Sequence, residues 1–96
     1  EISVEEFDQL ISNEAVRVID VREKNEMPVL NEFRSEQINM SEFERRISAI
    51  DLSDTIVIIC QTGIRSLKAV EILKENIAGC KAYSLAGGIE AWIKHH

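Results

Sequence analysis

The body of this 96-residue chain contains no histidine; His95 and His96 are its last two residues. An internal Cys–His catalytic pair is therefore not expected. Nor is a metal site, since the terminal pair lacks zinc-ligand spacing. Cysteine is scarce: Cys60 and Cys80 are the two in the chain. They are too few for a disulfide framework and point to a reducing compartment, so a cytoplasmic location is expected. No apolar run approaches the ~18 residues of a membrane span, and no leader pattern is visible. Basic residues are outnumbered 17 to 11, for a net charge of −6. That balance argues against a nucleic-acid partner, which would call for a basic stripe.

The charge is unevenly spread. Residues 1–55 hold 14 acidic and 6 basic side chains, and residues 56–96 hold 3 and 5. The half with Cys60 is mildly positive. Either it draws anions toward that residue, or these charges simply coat solvated helix faces. Apolar residues make up 45% of the chain and are spread along it. One domain is expected, with a core that needs no staples, since a chain of this size buries roughly 60–70% of its unfolded surface. The chain starts at Glu1 rather than Met, as expected of a domain excised from a longer protein.

Helix and strand patterns alternate. Ser3-Val4-Glu5-Glu6 has the form of a capping box and predicts a helix from Val4 to about Asn13, with Phe7, Leu10 and Ile11 on its apolar face. Residues 16–21 form a β-branched strand. Residues 23–37 contain Pro28, show no period and read as a surface loop. Ile38-Asn39-Met40 suggests a short edge strand. Ser41-Glu42-Phe43-Glu44 suggests a second capping box, followed by a helix with Phe43, Ile47 and Ile50 on one face. Thr55 to Ile59 is apolar on consecutive residues, as in a parallel strand buried on both faces. A helix is expected over residues 66–76, with Ala69, Val70 and Leu73 inward. A strand is expected over residues 82–85, and after Gly87-Gly88 a short helix over residues 89–94. Trp92 and Tyr83 are assigned to the core. This order predicts an α/β domain with a small, mostly parallel sheet and helices on both faces. Ligands of such sheets gather at the carboxyl ends of the strands, and Asp20 and Cys60 both end strands.

Cys60-Gln61-Thr62-Gly63-Ile64-Arg65-Ser66 is the most informative stretch. It places a thiol between a strand and a helix N-terminus. The helix offers unpaired N–H groups and a partial positive charge. A tight loop can also turn successive N–H groups inward as an anion-binding nest, and Gly63 can take the positive φ such a loop needs. Arg65 either folds inward and adds a permanent charge to the pocket or pairs with a carboxylate of the body. Ser66 either donates its hydroxyl to Cys60 or caps the helix. A thiol so placed can reach a pKa of roughly 3.5–7.5. A helix terminus contributes up to ~2 kcal/mol, and each unit needs about 1.4 kcal/mol, so a shift of a unit or more is within reach. Without an imidazole base, the expected chemistry is attack by a thiolate on electrophilic sulfur or phosphorus. Cys80 is read as a plain packing or half-exposed cysteine, with a resolving thiol as the alternative.

The Cys60–Ser66 stretch resembles the active-site loop of rhodanese-homology sulfurtransferases. Ile19-Asp20-Val21-Arg22-Glu23 resembles that family's Asp-Val-Arg strand end. Residues 84–92, with Gly87, Gly88 and Trp92, resemble its closing Leu-x-Gly-Gly-x-x-x-Trp segment. The resemblance implies a rhodanese-like fold and an enzyme whose Cys60 holds a sulfane sulfur as a persulfide. The anion is cradled by N–H groups from Gln61, Thr62, Gly63, Ile64, Arg65 and Ser66, and Asp20 and Arg22 buttress the loop. No cofactor or metal is implied. Four residues separate Cys60 from Arg65, one fewer than in the related cysteine phosphatases, which favours sulfur over phosphate.

Two departures narrow the resemblance. Gln61 stands where many members have Arg, which disfavours dianionic thiosulfate as donor relative to a desulfurase persulfide. The family's Gly-His-Ile segment is replaced by the run from Glu26 to Met40. In this the chain is most similar to the C-terminal rhodanese domain of E1-like adenylyltransferases, which act in cofactor biosynthesis or tRNA thiolation. That similarity implies a ubiquitin-like sulfur-carrier protein and an adenylyltransferase domain as partners. The alternatives are a cysteine phosphatase and a non-catalytic docking module.

Overall fold

The computed structural model describes residues 1–13, 16–47 and 55–96. Helix α1 (Val4–Ser12) begins where the first capping box predicts. Glu6 N donates to Ser3 Oγ at 3.1 Å, and Ser3 N donates to Glu6 Oε1 at 2.9 Å. Strand β1 (Val16–Asp20) follows, then β2 (Glu36–Gln37), helix α2 (Met40–Arg46), β3 (Thr55–Ile59), α3 (Ile64–Asn76), β4 (Ala82–Ser84) and α4 (Gly88–His95). The strands form one parallel sheet in the order β2-β1-β3-β4.

The central strand β3 explains why its sequence is apolar at every position. Ile56 and Ile58 pack on one side with Phe43 of α2 and Ala69, Val70 and Leu73 of α3. Val57 and Ile59 pack on the other with Phe7 of α1 and Ile89 and Trp92 of α4. Helices therefore cover both faces, as the alternating pattern predicts. Residues 56–59 are at most 1% exposed. Burial of each such side chain stabilises by about 1.5–3 kcal/mol, so β3 holds its carboxyl end, and Cys60, firmly in place.

Several local expectations are corrected. The edge strand lies at Glu36–Gln37 rather than Ile38–Met40. A two-pronged ion pair from Arg17 to Glu36 (2.8 and 2.7 Å) fixes this register. Ile38 is instead buried, and Met40 N donates to Val21 O at 2.9 Å and opens α2. The second capping box does not form. Asn39 occupies the N-cap without a side-chain bond, and Ser41 sits inside the first turn. Ile50 lies outside the described residues. Helix α3 starts at Ile64 rather than Ser66, because Gly63, at φ 95°, makes the turn into it. Tyr83 is 37% exposed on β4, so of the two aromatic residues assigned to the core only Trp92 belongs there. The irregular segment before β2 is pinned by Phe33, whose ring sits edge-on to Phe7 (5.1 Å) and Trp92 (5.4 Å).

Candidate active site

Cys60 follows β3 directly, and its side chain is 1% exposed. The chain then turns through Gln61, Thr62 and Gly63 into α3. This turn aims backbone donors at the sulfur. Gly63 N donates to Cys60 Sγ at 3.1 Å, and Ser66 N at 3.3 Å. Ser66 Oγ lies 3.4 Å from the same sulfur. Burial is the largest single influence on the thiol and pushes its pKa up. The hydroxyl of Ser66 and the N–H groups of Ser66, Gly63 and Thr62 together outweigh it and hold the thiol below its ordinary value of 9.0. Cys80, half-buried, has no such donors among the described residues, and burial pushes its thiol up.

The loop's carbonyls face the opposite way and are satisfied by α4. Ile89 N donates to Cys60 O at 2.9 Å, and Glu90 N to Gln61 O at 3.1 Å. This contact requires glycine at position 88. A Cβ there would clash with the carbonyl oxygens of Cys60 and Gln61, and Gly88 holds φ +64°. The first turn of α4 thus grips the outside of the loop, while the N–H groups line the inside.

On the β1 side, Asp20 and Arg22 form a buried support. Arg22 is 4% exposed. Its Nε and Nη2 donate to the Asp20 carboxylate at 3.0–3.2 Å, and its backbone N donates to Asp20 Oδ1 at 2.9 Å. Nη1 reaches across to Gln61 Oε1 at 3.1 Å. The strand-end pair and the cysteine loop are therefore joined through Gln61, whose amide Nε2 lies 3.5 Å from Glu90 Oε2.

Arg65 is engaged elsewhere. Its two terminal nitrogens donate to Glu26 at 2.6 and 2.7 Å. The bond to Arg65 is the main cause that lowers the Glu26 carboxyl to about 2, and it raises Arg65 in return. The guanidinium thus ties the loop to the segment after β1 and is not a free cation over the sulfur. The exposed Thr62 and Ile64 side chains point away, and these residues shape the loop through their backbone. Among the described residues, no three His, Cys, Asp or Glu side chains gather as a metal site would require.

Two residues of this arrangement were absent from the sequence expectations. Glu26 lies 39 positions from its partner, and nothing local marks it. Ser84 is wholly buried on β4, with its hydroxyl 2.7 Å from Ser66 Oγ. Its one signal is a polar residue in a strand otherwise suited to the core.

A small parallel α/β domain that presents a depressed-pKa thiol in a ring of N–H donors at a strand end defines a thiol-nucleophile class of site. The rhodanese-like domain model matches residues 3–95, and the chain belongs to that family. It is 32% identical over 93 residues to the putative sulfur carrier protein YrkF of Bacillus subtilis, covering 96% of this chain and 50% of YrkF. To YtwF of the same organism, a putative sulfurtransferase, it is 30% identical over 85 residues, covering 88% of this chain and 81% of YtwF. It also matches 60% of the length of a third B. subtilis protein, YqhL, covering 79% of this chain at 32% identity. The chain thus spans less than two thirds of YqhL and half of YrkF. The crystal structure of a rhodanese-related protein from Thermoplasma volcanium superposes with a TM-score of 0.83 at 28% identity, covering 99% of this chain and 91% of that one. Among the described residues, no helix is long and apolar enough to cross a membrane.

Proposed function

We propose that this domain is a sulfurtransferase in which Cys60 carries sulfane sulfur as a persulfide. The observation behind this reading is the convergence of Gly63 N–H, Ser66 N–H and the Ser66 hydroxyl on one buried sulfur, with no histidine in reach. The Cys60 thiolate attacks the outer sulfur of the donor. A new S–S bond forms, and the donor's own bond to that sulfur breaks. The donor leaves with the electron pair, as a thiolate from a desulfurase persulfide or as sulfite from thiosulfate. An acceptor nucleophile then attacks the outer sulfur, and Cys60 departs as the thiolate that the loop stabilises.

The donor set favours a protein-borne persulfide. With Arg65 paired to Glu26 and Gln61 next to Cys60, the described residues hold no unpaired cation against the sulfur that would balance a thiosulfate dianion. The same pairing argues against a phosphatase, which needs a guanidinium free for phosphate. In this reading the acceptor is a sulfur-carrier protein. The domain is then the C-terminal part of a longer E1-like adenylyltransferase and works in the cytoplasm.

The test is incubation with a sulfane-sulfur donor followed by intact mass measurement. The protein should gain one sulfur atom, which reductant removes and which Cys60→Ala never acquires. Absence of that adduct with both thiosulfate and a desulfurase donor overturns the reading. So does Cys60-dependent hydrolysis of an aryl phosphate in its place.

A further inference from the structure

Ser84 presents a hydroxyl in a place where an apolar side chain would ordinarily serve. It is wholly buried on β4, and its neighbours Ala82 and Leu85 belong to the core. A buried hydroxyl destabilises unless it is hydrogen-bonded. Among the described residues, the one partner of Ser84 Oγ is Ser66 Oγ, at 2.7 Å. Ser66 is equally buried and stands 3.4 Å from Cys60 Sγ.

The arrangement of protons in this row follows from counting donors and acceptors. The Ser84 proton has Ser66 Oγ as its acceptor. If Ser84 donates there, the Ser66 proton must point to the remaining neighbour, the sulfur of Cys60. That sulfur already receives Gly63 N–H and Ser66 N–H. It then accepts three donors, an arrangement that an ionised sulfur satisfies in full. In the opposite direction, a neutral thiol donates to Ser66 and Ser66 donates to Ser84, which leaves the Ser84 proton without an acceptor among the described residues.

We propose that Ser84 is a positioning residue for the sulfur on Cys60: its hydroxyl donates to Ser66 Oγ and commits the Ser66 proton to that sulfur. This rests on the reading of Cys60 as the sulfur-carrying nucleophile. Ser84 touches neither donor nor acceptor and acts through Ser66. Its role is the same when the sulfur of Cys60 becomes the leaving group, since that step regenerates the same anion.

The experiment is the pH profile of Cys60 alkylation by iodoacetamide, read by peptide mass, in the unmodified protein, Ser84→Ala, Ser66→Ala and the double variant. Loss of the Ser84 hydroxyl should move the midpoint up by about half to one pH unit. Ser66→Ala should move it at least as far. In the Ser66→Ala background, Ser84→Ala should add nothing, and Ser84→Thr should restore the midpoint in the otherwise unmodified protein. A midpoint unmoved by Ser84→Ala, or shifts that simply add in the double variant, overturns the proposal. Should Ser84→Ala fail to fold, NMR of the unmodified protein decides. The Ser66 and Ser84 hydroxyl protons should appear as slowly exchanging signals that move together as Cys60 titrates, and a Ser84 signal that stays still overturns it. No sulfur donor enters these measurements. A protein that shows the shifts but never takes up sulfur overturns the sulfurtransferase reading alone, and one that takes up sulfur without the shifts overturns the Ser84 role alone.

Discussion

Ile89 N donates to the carbonyl of Cys60 at 2.9 Å, so the last helix of the chain holds the cysteine loop from outside. The loop's N–H groups can face the sulfur because its carbonyls are engaged on the opposite side. The closing Gly-Gly segment is therefore as much a part of the site as the cysteine, although it touches no sulfur.

Gly88→Ala tests that grip. The added Cβ would meet backbone carbonyls that no side-chain rotation can move away, and it would sit at a positive φ. The expected loss of stability is roughly 2–5 kcal/mol, combining left-handed strain with overpacking. Gly79→Ala is the control. It also has positive φ, but nothing lies within 4 Å of the added Cβ, so about 1–2 kcal/mol of strain is expected. Urea unfolding of both variants measures the difference. Equal losses would show that Gly88 serves only its own turn.

The Glu26–Arg65 pair should matter within a defined acid range. The folded-state carboxyl titrates at about 2 against an ordinary 4.5. Because the folded value is depressed, the contribution is complete above pH 4.5 and is lost as pH falls toward 2. Both side chains are about a third exposed, so it amounts to no more than about 1 kcal/mol. Thermal unfolding of the unmodified protein and Glu26→Gln should differ at neutral pH and converge as pH falls through that range. A gap that stays constant down to pH 2 would contradict the pairing.

The two cysteines should separate by pH. Cys60 should be alkylated with a midpoint below 9.0 and Cys80 with one above it, because donors outweigh burial at the first and burial dominates at the second. Alkylation rates followed against pH by peptide mapping, each cysteine scaled to its own plateau so that the burial of Cys60 cancels, give the two midpoints. A Cys60 midpoint at or above that of Cys80 would require a different account of the Cys60 donors.

Gln61→Arg, made together with Glu90→Gln to remove the carboxylate that faces this side chain, adds an unpaired positive charge one residue after Cys60. Thiosulfate loading should improve several-fold, corresponding to about 1 kcal/mol, and the gain should shrink as salt rises. Replacing Gln61 also removes the acceptor of Arg22 Nη1, so steady-state KM and kcat should be read separately. An unchanged KM for thiosulfate would show that charge is not what limits this donor.

What the sequence disclosed was mostly local. The Ser3 capping box, the double-sided burial of Ile56–Ile59 and the placement of Cys60 at a strand end all follow from spacing within a few residues, and the structure carries each of them. Features that depend on distant partners were hidden. For Arg65 the sequence leaves open a pocket cation or a carboxylate pair, and only the segment after β1, which brings Glu26 to it, decides between them and names the partner. The edge strand reads two residues late because Arg17, on another strand, sets its register. Ser41 satisfies a capping pattern, yet the helix has already begun at Met40, whose N–H is taken by β1's extension at Val21. Ser84 precedes the named positions of the closing Leu-x-Gly-Gly-x-x-x-Trp segment and gains its meaning only from the approach of α3 to β4.

The way the loop holds its anion also determines how far away it can be felt. The described attraction at Cys60 comes from peptide N–H groups and one hydroxyl, while the nearby guanidinium groups of Arg22 and Arg65 are each matched to a carboxylate. The field of a dipole fades faster with distance than that of a charge, and the body around it bears a net −6. Such a site exerts little pull on free anions in solution. It acts within contact range, so under the proposed sulfur-transfer reading the sulfur has to be brought to the loop and handed over.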